Sequence, residues 1–195
     1  PKIVILFFVV GGMLLVIGMT RIEIDTVFSE YYPPESPVRK TINLMDEQFL
    51  GTENMEILLE TKTEGSFRDP EMLYALESIK TWLEIRYPEL VTYNWTMNNQ
   101  LKQTHKKLMG SDEEAYKIPK SPELISQLLL LIESGDYEDL ERVVSIDYAN
   151  ARMSVSLKTI GSKKSVELIN VVQPELERII APMKKRYPGL KITVT

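Results

Sequence analysis

The chain has 195 residues and carries 23 Lys and Arg against 28 Asp and Glu, a net charge of −5 at pH 7 that argues against a nucleic-acid partner. The lack of cysteine excludes disulfides, thiol nucleophiles, Cys-zinc sites and lipidated cysteines, and leaves the redox compartment open. The single histidine, His105, can form neither a triad nor a metal site alone, and Gly51, Gly65, Gly110, Gly135, Gly161 and Gly189 each stand alone, so no Gly-rich phosphate loop follows a strand. No catalytic, metal-binding or cofactor-binding residue is therefore expected, and the chain does not read as an enzyme.

The first predicted element is membrane-spanning. From Ile3 to Thr20 there is no charged side chain, and at about 1.5 Å rise per residue this run reaches roughly 27 Å, close to the hydrocarbon thickness of a bilayer. It reads as a retained anchor, because Gly18-Met19-Thr20 is a poor cleavage site for a signal peptide. Lys2 and Arg21 flank it with one positive charge each, so charge does not orient it.

Beyond the span, Ile22, Ile24 and Val27 alternate with polar residues as in a half-buried strand, and Tyr31-Tyr32-Pro33-Pro34-Glu35-Ser36-Pro37 ends regular structure. Val38, Ile42, Met45 and Phe49 then mark a helix, with Ser36 as its cap, Pro37 at its first position and Gly51 as its stop. A strand follows over Met55–Thr61. Asp69 and Pro70 open a second amphipathic helix, which carries Met72, Leu73, Leu76, Ile79 and Leu83 and stops at Tyr87-Pro88. Leu90–Trp95 is the next strand.

From Met97 onward the pattern turns helical. A polar helix is expected over Asn98–Met109, a Leu-rich one from Ser121-Pro122-Glu123 to Gly135-Asp136, and a short one over Tyr137–Val143. The basic runs Lys102–Lys107 and Lys184-Lys185-Arg186 read as solvated faces. Strand signal returns at Ile146–Tyr148 and over Ala151–Ile160. The last helix, about Lys163–Tyr187, is expected to bend or break at Pro174 and Pro182, ahead of a final strand over Leu190–Thr195.

Arg86-Tyr87-Pro88-Glu89-Leu90 recurs as Arg186-Tyr187-Pro188-Gly189-Leu190, each time between an amphipathic helix and a strand. The expected fold is therefore α+β: a transmembrane helix followed by two βαβ units with a helical insertion, closed as a ferredoxin-like split βαβ sheet with both helices on one face. The divisions are 1–20 for the span, 21–54 for a connecting strand and helix, 55–96 for the first unit, 97–149 for the insertion and 150–195 for the second unit.

The Ile22-x-Ile24-Asp25 strand after a first span, the Tyr-Tyr-Pro-Pro-Glu-Ser-Pro segment and Gln48-Phe49-Leu50-Gly51-Thr52-Glu53-Asn54 together resemble the opening of exporters of the resistance–nodulation–division superfamily. The insertion, with Leu101-Lys102, Ile118–Ile125 and Val144–Arg152, is similar to that of the hydrophobe and lipid exporters, the mycobacterial large membrane protein and hopanoid transporter types. The resemblance implies a cytoplasmic N-terminus, an extracytoplasmic porter domain in the cell membrane (the inner membrane in a Gram-negative source), and a proton-driven bundle of further spans with a second porter domain. It implies the bilayer and a hydrophobic or lipid-like substrate as partners, with self-association left open.

Within the chain, Leu124, Leu128, Leu131 and Ile132 of the Leu-rich helix are the candidate substrate path, against the alternative that they pack on the domain's own core. A ligand-sensing or docking domain of a single-pass membrane protein is the competing function.

Overall fold

The chain leaves its first helix, α1 (Lys2–Met19), with no residue of that helix buried; α1 is long and apolar enough to cross a membrane. The structure is a computed structural model that describes residues 2–19, 25–135 and 137–195. The predicted strand at Ile22 and Ile24 lies outside the described residues. A short 3-10 turn (Phe28–Tyr31) leads to α2 (Pro37–Gln48), whose cap is the expected one: the Ser36 hydroxyl accepts the Arg39 amide at 3.2 Å, and Pro37 stands at the first position. Gly51, at φ +81°, is obligatory in the turn that follows, since a Cβ there would lie 2.1 Å from the Leu157 carbonyl oxygen.

Four strands form one antiparallel sheet: β1 (Glu53–Glu60), β2 (Val91–Trp95), β3 (Asn150–Leu157) and β4 (Lys191–Val194), in the order β2-β3-β1-β4. β3 therefore lies between the parallel pair β1 and β2, and β1 between the parallel pair β3 and β4. The two long helices make these crossings: α3 (Pro70–Arg86) joins β1 to β2, and α7 (Ser162–Lys184) joins β3 to β4. Strand alternation buries Met55, Ile57, Leu59, Met153, Val155, Ile192 and Val194 on one face. The apolar sides of α3 (Leu73, Leu76, Ile79) and α7 (Val172, Leu176, Ile180) complete that core.

The Arg-Tyr-Pro repeat is a repeat in three dimensions. In each copy the tyrosine amide bonds the carbonyl four residues back, Tyr87 to Leu83 and Tyr187 to Met183, and the leucine amide bonds the tyrosine carbonyl, at 3.1 and 2.9 Å. Both helices thus end in the same turn before an exposed proline. The second copy also reaches the start of α3, where the Asp69 carboxylate caps the Glu71 amide at 3.1 Å, accepts the Tyr187 hydroxyl at 2.8 Å and pairs with Arg186 at 3.0 Å.

Three expectations are corrected. The helix α7 is not broken into pieces at Pro174 or Pro182; both prolines are exposed, as are Asn170 and Arg178, the residues whose carbonyls they deprive of a partner. Ile146–Tyr148 is a turn rather than a strand: the Asp147 carboxylate accepts the Ser145 hydroxyl and the Ala149 amide, and Tyr148 adopts φ +54°. The run Lys102–Lys107 is solvated on one side only: Gln103 and Lys107 are exposed, whereas Lys102 and His105 are buried.

Burial, and then the Asp69 carboxylate, push the Tyr187 phenol up to about 12 from its ordinary value near 10. The protonated form is thus favoured on folding, so this contribution is complete below about pH 10 and is lost as pH rises to about 12. Urea unfolding of the chain in detergent micelles should lose stability less steeply across that window for Tyr187→Phe than for the unaltered protein.

Candidate functional site

The insertion between β2 and β3 carries α4 (Met97–Leu108), α5 (Pro122–Gly135) and α6 (Tyr137–Glu141). The start of α4 is fixed by a capping box, in which the Thr96 hydroxyl accepts the Asn98 amide at 3.1 Å while Asn99 Oδ1 accepts the Thr96 amide at 3.1 Å. Leu101 of α4 and Ile125, Leu128, Leu129 and Ile132 of α5 extend the sheet's core, so the insertion is fused to the domain.

Two clefts open in this region, one on each side of Tyr116. The first, about 500 Å³, is lined by Tyr93 and Trp95 of β2, Asn99 and Gln100 of α4, and Leu131 and Ile132 of α5. Tyr93 and Trp95 fall on the same face of the strand and their rings stack at 6.2 Å. Burial, with Tyr116 next, raises the Tyr93 phenol above its ordinary range, and a hydrogen bond from Asn99 opposes this. The second cleft, about 710 Å³ and mostly apolar, is lined by Tyr74, Ile118, Pro119 and Leu124 around Lys102 and His105.

Between the clefts runs a buried polar chain. Lys102 Nζ, whose side chain is only 7% exposed, bonds Glu77 Oε1 at 2.6 Å and lies 5.1 Å from the Tyr116 ring centroid. Asn98 Nδ2 donates to the other Glu77 oxygen at 3.1 Å and to the Leu73 carbonyl at 2.9 Å. His105 Nδ1 lies 3.0 Å from the Lys117 carbonyl, which can only accept, so that nitrogen carries the proton. Near the start of α4, the buried amide oxygens Asn94 Oδ1, Asn98 Oδ1 and Gln100 Oε1 have no donor.

The structure divides the four predicted path residues. Leu128 is wholly buried and Ile132 nearly so; Leu131 is 52% exposed and lines the first cleft with Ile132, whereas Leu124 is half-buried and lines the second. Sequence reasoning did not single out Tyr93, Tyr116, Glu77 or Asn98, read Trp95 as packing, and read Lys102 and His105 as part of a solvated run rather than of a buried stripe. The signal for that stripe was present: its spacing of four and three is that of one helix face. Among the described residues no cluster of His, Asp or Glu is arranged to hold a metal ion.

Comparison with known proteins finds no protein-family model that matches the chain and no curated protein that matches it.

Leu128→Asp places a charge in the sealed core and should abolish folding, whereas Leu131→Asp should move stability by no more than about 0.5 kcal/mol. Glu77→Gln leaves the Lys102 charge without its counter-ion and should cost about 1–3 kcal/mol. Chemical unfolding of the three variants in micelles checks these outcomes.

Proposed function

We propose that the chain is the first span and first extracytoplasmic porter domain of a proton-driven exporter of hydrophobic or lipid-like molecules. The observation that carries this reading is the pairing of a fully exposed apolar helix, α1, with a sheet whose order β2-β3-β1-β4 is that of a ferredoxin-like split βαβ domain. The matched Arg-Tyr-Pro turns support it, because they make the two βαβ units copies of one design.

The clefts supply the substrate chemistry. Leu131, Ile132 and Leu124 offer apolar contact, and the stacked Tyr93 and Trp95 offer a flat surface with the polar side chains of Asn99, Gln103 and Lys107 lining the same cleft. An amphiphile with an apolar body and a hydrogen-bonding head matches both. Proton coupling would belong to acidic residues in other spans, and no group of this chain is assigned to it.

The test is accumulation of a fluorescent lipid analogue by everted membrane vesicles that contain the full-length parent protein. The expected result is several-fold uptake over vesicles lacking the protein, abolished by a protonophore and strongly reduced by Leu131→Asp at equal protein abundance. Uptake indifferent to both the protonophore and the substitution would overturn the reading.

A further inference from the structure

Helix α2 is amphipathic, but the domain holds it by its polar side. Among its residues Arg39 and Asp46 are half-buried: Arg39 Nη1 donates to the Tyr32 carbonyl at 3.2 Å, and Asp46 accepts the Thr52 hydroxyl at 3.2 Å and the Thr159 amide at 3.3 Å. Of the apolar stripe, Ile42 is half-buried while Val38, Met45 and Phe49 are exposed, and no residue of α2 is fully buried. Phe28 and Tyr31, in the turn that packs on α2, are exposed as well. An apolar stripe at helical spacing that the protein itself leaves uncovered marks a surface with another partner.

The bonding of the neighbouring turn says which partner. Asp25 and Thr26 follow α1 closely, and they dock on the start of α7: Lys163 and Ser162 donate to Asp25 Oδ1, the Ser162 amide donates to the Thr26 carbonyl, and the Thr26 amide donates to the Ser162 hydroxyl. Asp25 thereby supplies the cap that Gly161, which has no side chain, cannot give. From Met19 to Asp25 the chain can extend by at most about 20 Å. Asp46 of α2 is bonded to Thr159, in that same turn. The connection to the span and the amphipathic helix are thus fixed to one corner of the domain, a corner from which the end of α1 can lie no farther than that chain length allows.

We infer that α2 lies in the headgroup layer of the bilayer crossed by α1, with Val38, Met45 and Phe49 turned into the lipid. The charges of α2 fit a zwitterionic surface: Arg39 and Lys40 are balanced by Asp46 and Glu47, so attachment rests on apolar burial rather than on attraction to anionic lipid. The inference rests on reading α1 as a span and is independent of the exporter reading.

The natural lack of cysteine makes single-site labelling direct. In the whole chain reconstituted in phosphatidylcholine vesicles, nitroxide labels at Met45→Cys, Phe49→Cys, Glu47→Cys and Leu15→Cys would be read by power saturation with oxygen and with a water-soluble nickel chelate. The expected result is an oxygen-to-nickel accessibility ratio that is highest at position 15, raised at 45 and 49, and low at 47. Equal nickel access at 45, 49 and 47 with a lipid signal at 15 overturns the inference and leaves the span intact; aqueous signals at all four sites overturn both. Labels at 45 and 49 closed to both reagents would mean that a protein surface covers the stripe, which also overturns it.

Discussion

Five successive backbone amides, from Thr159 to Lys163, hold the protein's separate segments together, and every one of them finds an acceptor from a distant segment. The Thr159 amide goes to Asp46 of α2, Ile160 and Gly161 to Glu53 at the head of β1, Ser162 to the Thr26 carbonyl and Lys163 to Asp25. Three carboxylates from three distant segments thus converge on a single turn, and bonds from amides to ionised carboxylates are stronger than neutral ones. Gly161 is what lets them approach. It adopts φ +82°, and a Cβ there would stand 2.9 Å from both the Asp25 carboxylate and the Val27 side chain.

That constraint fixes the segment beginning at Asp25, which follows α1 in the chain, to the domain. In the proposed exporter, this body, a sheet with both long helices on one face, would receive motion from the membrane through that bonded link. The first cleft of the insertion lies along β2, across the sheet from β4, and the second lies between α3 and the insertion. Movement at the membrane end would therefore reach the first cleft through β1 and β3, which are packed on both sides in the plane of the sheet. The buried Glu77–Lys102 pair fixes α4 against α3 within that same body.

Local chemistry was legible in the sequence, and long-range chemistry was not. Ser36-Pro37 and Asp69-Pro70 announced the starts of α2 and α3 because a cap acts within three residues. The Arg-Tyr-Pro repeat announced equivalent turns for the same reason. Asp25, Asp46 and Glu53 gave no sign of meeting Thr159–Lys163, since more than a hundred residues separate them. Ile146–Tyr148 showed strand composition, but Ser145 and Asp147 turned the chain by bonding locally. Along α5, apolar character alone could not separate Leu128 in the core from Leu131 at the cleft, because only the packing of α4 and the sheet decides which side of a wide stripe is sealed.

The segment after α1 is docked on the start of α7, and cysteine cross-linking tests that docking. Thr26→Cys and Ser162→Cys, introduced together in the cysteine-free chain and oxidised in native membranes, should form an intramolecular disulfide in nearly all molecules, seen as a mobility shift reversed by reductant. Both sites are exposed, so each single variant should react with a maleimide. Full maleimide labelling of the double variant after oxidation, with no shift, would contradict the docking and with it the placement of α2 at the membrane.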